Sequence, residues 1–199
     1  KPVVNALGYA HEMGLVHRDV KAGNILVDRH QILRLTDFGI AGIFKSGHHA
    51  LQITSGGSLF CMSPQQLDNR RPSPSDDIYA LGVLLYQMIT GYPPFYPDIT
   101  RDRIRHEPPV LVNQRLQQSA IDTTIPDLLE NLIADMLAKN PADRPARMQE
   151  IERFFDQMLH PDTDQTLAPD NVTVNVIGQQ PASDRTELIA PVSVTPTTR

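Results

Sequence analysis

The order of apolar and polar positions near the start of the chain predicts one helix followed by a β-hairpin. Apolar residues from Val3 to Ala10 recur at helical spacing, and Gly14 is placed to end that helix. The two apolar runs at residues 25–27 and 32–35 are separated by four polar residues, a pattern typical of two strands joined by a turn. We therefore expect the two runs to pair as antiparallel strands.

The longest apolar segment, residues 78–89, is apolar on nearly every side of a helix. A helix without a polar face lies inside a core, and Gly91 is suited to end it. Two amphipathic helices are predicted near residues 126–138 and 147–158, whereas residues 40–63 lack periodicity and predict a long loop. The expected fold class is therefore α-dominated α+β, with helices around a central buried helix and a small β-hairpin.

The composition changes near His160. All 11 aromatic residues precede this position, and the remainder is rich in proline and threonine. Such a segment cannot bury enough apolar area to offset its ordering entropy. We therefore expect one folded domain over residues 1–159 and a disordered tail over residues 160–199. One short strand at the alternating valines of residues 172–176 is the alternative for part of this tail.

Charge and cysteine content exclude several classes of protein. The chain has 18 basic and 23 acidic side chains and a formal charge of −5, which argues against a nucleic-acid partner. The single cysteine excludes an internal disulfide and fits a cytoplasmic location. No apolar run approaches the roughly 18 to 20 residues of a membrane span. Because the chain opens at Lys1, we expect it to be cut from a longer protein, with a membrane anchor possible beyond its tail.

Polar residues at the open end of the predicted hairpin carry the candidate chemistry. Asn24 directly precedes the first strand, and Asp37 follows the second. In an antiparallel pair these positions lie side by side, about 5 Å apart, so their oxygens could share a hard cation such as Mg²⁺. Asp19 and Lys21 lie in the preceding loop, where a carboxylate can accept a hydroxyl proton beside an ammonium that offsets phosphate charge. Phosphoryl transfer uses groups of these kinds.

Two motifs carry a family resemblance. The H-R-D-V-K-A-G-N sequence at residues 17–24 and the D-F-G at 37–39 resemble the catalytic loop and metal-binding turn of protein kinases. Residues 57–65 are similar to the family's substrate-facing segment, 77–82 to the start of its central helix, and 143–145 to a later landmark. Residues 1 to about 158 thus resemble the bacterial Hanks-type serine/threonine kinases. The resemblance implies that this part of the chain is the C-terminal lobe of a kinase catalytic domain.

The resemblance implies a role for each residue of the two motifs. Asp19 is expected to deprotonate the substrate hydroxyl, and Lys21 to stabilise the transferring phosphoryl group. Asn24 and Asp37 are expected to hold Mg²⁺ between the phosphates of ATP, with Leu26 under the adenine ring. The implied reaction moves the γ-phosphate of ATP to Ser/Thr hydroxyls of a protein substrate.

Further residues are implied to support this machinery. Arg18 resembles the arginine that pairs with an activation-loop phosphate, and Thr54 stands where that phosphate is usually found. Ser46, Ser55 and Ser58 are competing phosphosites. His17 is expected to be a packed, structural histidine, and Asp77 to hydrogen-bond the backbone of the catalytic loop.

Two departures from the family pattern limit the implied activity. Gln65 stands where the family has the glutamate that pairs with a buried arginine, here Arg144; Gln65→Glu is therefore expected to raise the melting temperature. The chain also has no Gly-rich phosphate loop and only four lysines, so the N-terminal small lobe is expected to be missing and the fragment alone inactive. A catalytically silent kinase-like binding module is the alternative, and a small-molecule phosphotransferase ranks last.

Overall fold

The structure, a computed structural model, describes residues 1–38, 42–43 and 59–160. These ranges contain seven α-helices: α1 (Pro2–Glu12), α2 (Pro64–Leu67), α3 (Pro74–Thr90), α4 (Arg101–His106), α5 (Val112–Gln118), α6 (Asp127–Met136) and α7 (Met148–Leu159). They also contain four short strands: β1 (Leu15–Val16), β2 (Ile25–Val27), β3 (Leu33–Leu35) and β4 (Gly42–Ile43). The helix-rich architecture agrees with the predicted fold class.

Helix α3 occupies the centre of the fold, as its apolar sequence predicts. Ser73 and Asp76 form a reciprocal capping box at its start, and Pro74 supplies a preset first residue. Gly91 ends the helix in the left-handed conformation, with φ of 80°. Most of the side chains between these ends are buried.

Helix α3 separates two hydrophobic clusters and contributes to both. One cluster combines its residues with apolar side chains of α1 and α7: Val4, Leu7, Ile78, Leu81, Leu84, Met148 and Ile151. The other combines its tyrosines with side chains of α4, α5 and α6: Tyr79, Val83, Tyr86, Ile104, Leu116 and Ile133. Because α3 contributes to both clusters, its N-terminus is positioned by packing on both sides of the helix.

Strands β2 and β3 form the predicted antiparallel hairpin. The register pairs Ile25 with Leu35 and Val27 with Leu33. In the turn, Asp28 accepts hydrogen bonds from the backbone of two following residues, which lowers the pKa of this carboxylate. The hairpin therefore brings the chain before β2 next to the chain after β3.

Several elements were not predicted from the sequence. Strand β1 pairs with β4, which lies in the segment expected to be a loop. Neither strand was predicted, because a strand of two residues is too short to show alternation of apolar and polar positions. Helices α2, α4 and α5 have four to seven residues and lack a clear period. Most of the remaining loop prediction and all predictions for residues 161–199 lie outside the described residues. No helix in the described ranges is long and apolar enough to cross a bilayer.

The close approach of α3 and α6 at Gly82 gives a stability prediction. A Cβ atom at this position would lie 2.8 Å from the Cβ of Met136, so Gly82→Ala is expected to lower the free energy of unfolding by about 1–3 kcal/mol. Gly8→Ala is the matched control, since its nearest contact is an ordinary 3.4 Å, and it should gain up to about 1 kcal/mol from helix propensity. Urea unfolding of both variants measures the difference; equal stabilities would contradict the packing argument.

Candidate active site

The carboxylate of Asp77 holds the chain at the start of the candidate catalytic loop. Its two oxygens accept hydrogen bonds from the backbone amides of His17 at 2.8 Å and Arg18 at 2.7 Å. The side chain of His11 contacts the same carboxylate at 2.8 Å. Asp77 is fully buried in the first turn of α3, where the helix dipole favours a negative charge. The loop is therefore fixed to the centre of the core.

Arg18 adopts a backbone conformation that the sequence does not reveal. Its φ is 68°, in the left-handed region, which costs a non-glycine residue about 1 kcal/mol or more. The hydrogen bond from its amide to Asp77 helps to hold this conformation. Strain of this kind persists only where the surroundings over-determine it, and it is concentrated at functional sites.

His17 joins the loop to the end of the hairpin. Its Nε2 lies 2.9 Å from the carbonyl oxygen of Thr36, and its Nδ1 accepts a hydrogen bond from the amide of Asp19. Because a carbonyl can only accept, Nε2 carries the ring proton, and one neutral tautomer satisfies both contacts. The ring also lies 4.4 Å from the ring of Phe38, centroid to centroid. The ring is therefore held by two hydrogen bonds and one aromatic contact.

Three of the predicted catalytic side chains are in direct contact. The ammonium of Lys21 lies 2.6 Å from Oδ2 of Asp19, and the amide nitrogen of Asn24 donates to the same oxygen at 3.0 Å. The amide nitrogen of Asn24 also donates to the carbonyl of Asp19 at 2.8 Å. Asp19 and Asn24 are largely buried, and Lys21 is partly exposed. The cluster therefore combines a carboxylate, a cation and an amide around one point.

The hairpin brings Asn24 and Asp37 to the same end of the sheet. The amide and hydroxyl of Thr36 both donate to the carbonyl of Asn24, and Asp37 is the next residue. Asp37 is exposed and has a φ of 61°, a conformation that aspartate tolerates better than most residues. The amide nitrogen of Asn24 is used by Asp19, so its amide oxygen is the atom suited to face a cation.

The donor set at this end of the sheet fits magnesium better than a tighter metal centre. No group of three or more His, Cys, Asp or Glu side chains is placed to hold a metal in the part of the chain that the structure describes. Asn24 and Asp37 contribute one amide and one carboxylate, and Mg²⁺ commonly takes one or two such ligands, with water and substrate phosphates completing its octahedron.

The hairpin also exposes apolar side chains beside this polar cluster. Leu26 has 54% of its surface exposed, although leucine is usually buried. It lies on β2 opposite Arg34. Its large apolar neighbours on the same hairpin are exposed as well: Val27, Ile32 and Leu33. A patch of this kind marks a surface that contacts a ligand or another part of a protein.

Gln65 contacts Arg144, the partner that the family pattern implies. Arg144 Nη2 donates to the side-chain oxygen of Gln65 at 2.7 Å, and its other nitrogens donate to Ser75 and to the carbonyl of Ala138. The ion pairs among the described residues do not include Arg144. Burial accordingly lowers the pKa of Arg144 to about 10. The glutamine supplies the contact without the counter-charge.

Three residues of the site were missed in the sequence analysis. Ser63 and Gln66 form a capping box at the start of α2, and Asp76 accepts a hydrogen bond from Ser63. The Ser-x-x-Gln spacing in the sequence indicates the capping box, whereas no pattern in the sequence indicates the contact with Asp76. Thr54, Gly39 and the competing serines lie outside the described residues.

The neutral contact between Gln65 and Arg144 gives a second stability prediction. Gln65→Glu is expected to stabilise the chain by about 1 kcal/mol, or about 2–4 °C, because a charged hydrogen bond replaces a neutral one. The loss of the amide bond from Gln65 to the carbonyl of Lys139 limits the gain. The introduced carboxylate should be ionised to a lower pH in the folded state, so the gain should be present at neutral pH and lost as pH falls through the pKa of that carboxylate.

Thermal unfolding at pH 7 and at pH 3 measures this gain. Gln117→Glu, on the exposed side of α5, is the matched control and should change the melting temperature by less than about 1 °C. A Gln65→Glu variant that melts at or below the wild-type temperature at pH 7 would rule out the missing counter-charge as a source of instability.

Comparison with known proteins points to one family. The family model of the protein kinase domain matches residues 1–160. The probable serine/threonine-protein kinase CPE1738 of Clostridium perfringens is 32% identical over 197 residues, which cover 96% of this chain and 26% of that protein. Serine/threonine-protein kinase PknL of Mycobacterium tuberculosis is 36% identical over 154 residues, covering 73% of this chain and 36% of PknL. Serine/threonine-protein kinase pkn3 of Myxococcus xanthus is 37% identical over 157 residues, covering 72% of this chain and 28% of pkn3.

The chain thus spans between about a quarter and a little over a third of the length of these relatives. The matched region includes all the described residues, among them the loop at residues 17–24, the hairpin and helix α3. The family model covers well over half of the chain. The chain therefore belongs to the protein kinase domain family, and the relatives named above are bacterial serine/threonine-protein kinases of the Hanks type.

Proposed function

We propose that the parent protein transfers the γ-phosphate of ATP to serine and threonine hydroxyls of a protein substrate. The observation that carries this proposal is the cluster of Asp19, Lys21 and Asn24, with distances of 2.6 Å and 3.0 Å to one carboxylate oxygen. A base, a cation and an amide at one point beside a solvent-facing hairpin are the groups that phosphoryl transfer needs. The relatives named above are all serine/threonine-protein kinases.

In this proposal the oxygen of the substrate hydroxyl bonds to the γ-phosphorus of ATP. The bond from that phosphorus to the bridging oxygen breaks, ADP leaves, and the hydroxyl proton passes to the carboxylate of Asp19. Lys21 holds the carboxylate in position and offsets negative charge on the transferring group. Asn24 and Asp37 would hold Mg²⁺, which would neutralise phosphate charge.

We further propose that residues 1–159 form the C-terminal lobe of the catalytic domain. The exposed apolar side chains of the hairpin support this assignment, since Leu26 and its neighbours offer a surface for an adenine ring and for a covering lobe. No Gly-x-Gly-x-x-Gly sequence occurs in the chain, so the Gly-rich loop must come from elsewhere in the parent protein. The 199-residue chain alone is then inactive. We also propose a cytoplasmic location for the domain, since its single cysteine fits a reducing compartment.

Arg18 is proposed as the receptor for an activating phosphate on Thr54. Its Nε atom is buried and has no hydrogen-bond partner among the described residues. Burial lowers the pKa of Arg18, and the nearby carboxylates of Asp76 and Asp77 oppose this effect. A phosphate would supply an acceptor for this Nε atom and further negative charge beside the guanidinium.

The catalytic role of Asp19 is tested in the full reading frame that contains this chain. Asp19→Asn is expected to lower ATP- and Mg²⁺-dependent phosphorylation of a generic basic protein by about 10²-fold or more, because proton transfer is lost. Asp122→Asn, an exposed carboxylate outside the site, should leave the rate unchanged. Full activity in Asp19→Asn would refute the assigned base. An inactive full frame that has a complete small lobe would favour the silent binding module.

The phosphate receptor is tested by a double-mutant comparison in the same full frame. Thr54→Ala and Arg18→Gln are each expected to lower the phosphorylation rate, and the double variant should be no slower than Arg18→Gln alone. Mass spectrometry of the active protein should find phosphate on Thr54. Additive losses, or an activating phosphate on Ser46, Ser55 or Ser58 alone, would contradict this pairing.

A further inference from the structure

We propose that Asp76, which has no part in the chemistry above, is the residue that anchors the end of the substrate-facing segment to the catalytic loop. It replaces the counter-charge that Gln65 does not supply. The functional meaning of this anchor rests on the proposed kinase activity, since a kinase needs that segment in register with its catalytic loop. The contact itself does not depend on that activity.

Asp76 is a buried carboxylate that accepts a hydrogen bond at each of its oxygens. Its Oδ1 accepts a hydrogen bond from the hydroxyl of Ser63 at 2.6 Å, and its Oδ2 accepts one from the amide of Ser73 at 3.0 Å. Ser63 is fully buried, and Asp76 is 2% exposed. Burial raises the pKa of Asp76, whereas the hydrogen bonds from Ser63 and Ser73 stabilise its ionised form, and water cannot replace these bonds at a buried site.

The contact continues from Ser63 to the catalytic loop. Since the hydroxyl of Ser63 donates to Asp76, its lone pairs are available, and they accept the amide of Gln66 at 3.1 Å. The side chain of Gln66 accepts the amide of Ser63 at 3.0 Å and donates to the carbonyl of Arg18 at 3.0 Å. One continuous chain of hydrogen bonds therefore runs from Asp76 through Ser63 and Gln66 to Arg18.

Asp76 also influences two guanidinium groups with which it has no direct ion pair, those of the buried Arg144 and the partly buried Arg18. Arg144 Nη1 donates to the carbonyl and the hydroxyl of Ser75, the residue directly before Asp76. Burial lowers the pKa of both Arg18 and Arg144, and Asp76 is the carboxylate that opposes this most strongly in each case. Asp76 is thus the carboxylate with the largest influence on both guanidinium groups, and Asp77 adds to it at Arg18.

The adjacent positions of Asp76 and Asp77 explain why this contact sets a register. Asp77 binds the backbone at His17 and Arg18, whereas Asp76 binds the segment through Ser63. Both carboxylates lie in the first turn of one helix, so the two loops are held at a fixed offset. Loss of Asp76 should free the segment while Asp77 keeps the catalytic loop in place.

Cys61 provides a probe of this segment in the 199-residue chain. It is the only cysteine, it is 4% exposed, and it lies two residues before Ser63. A thiol reagent such as 5,5′-dithiobis(2-nitrobenzoic acid) reaches it only when the segment opens or the chain unfolds. Dividing the measured rate by the globally unfolded fraction, from urea unfolding under the same conditions, separates these two events.

Asp76→Asn is expected to raise the normalised rate of Cys61 modification about tenfold or more. Ser63→Ala, which keeps the carboxylate but removes its bond to the segment, should raise it by a smaller factor and is the second variant if Asp76→Asn does not fold. Asp135→Asn, an exposed carboxylate on α6, is the matched control and should leave the rate unchanged.

Rescue distinguishes a counter-charge from simple packing. Gln65→Glu should change the rate less than about twofold in the wild-type chain but return the Asp76→Asn variant to within about threefold of wild type. A normalised rate that is unchanged in Asp76→Asn and Ser63→Ala would overturn the anchor, and failure of the rescue would overturn its role as replacement for the charge at position 65. Because no activity is measured, these results stand even if the parent protein proves catalytically silent.

Discussion

The buried carboxylate of Asp77 is the constraint on which the rest of the site depends. It accepts the amides of His17 and Arg18, and the left-handed turn at Arg18 directs the chain into the loop that carries Asp19. A charge this deep in a core is stable only where it is fully hydrogen-bonded, and the start of a helix adds a favourable dipole. The centre of the hydrophobic core and the candidate chemistry are therefore joined through one side chain.

The buried charged side chains around the start of α3 are hydrogen-bonded mainly to neutral groups. The helix start holds Asp76 and Asp77 side by side, and both are satisfied by hydroxyl or amide donors rather than by direct ion pairs with arginine. The buried Arg144 is in turn satisfied by carbonyls, a hydroxyl and Gln65. Neutral donors and acceptors fix the geometry, while the charges act at longer range. Such an arrangement tolerates glutamine at position 65 without leaving a donor unpaired.

The candidate active site combines this rigid base with an open face. Asp19 and Asn24 are buried and hydrogen-bonded, whereas Asp37 and Leu26 face outward on the hairpin. In the proposed reaction, the base Asp19 and the metal ligand Asn24 thus lie on the core side, whereas the proposed nucleotide contact Leu26 and the second metal ligand Asp37 lie on the accessible side. The exposed apolar hairpin is the side on which the proposed covering lobe would complete the site.

The sequence by itself determined those features that depend on local pattern. Apolar periodicity located α3 and the hairpin, and the spacing of Asn24 and Asp37 around two short strands placed them at one end of a sheet. Tertiary structure alone decided the contact between Ser63 and Asp76, 13 positions apart, and that between Gln65 and Arg144, 79 positions apart. It also decided the pairing of β1 with β4. Periodicity reports which face of an element is buried, but a polar contact between distant segments depends on how whole helices pack, and that information is spread over both hydrophobic clusters.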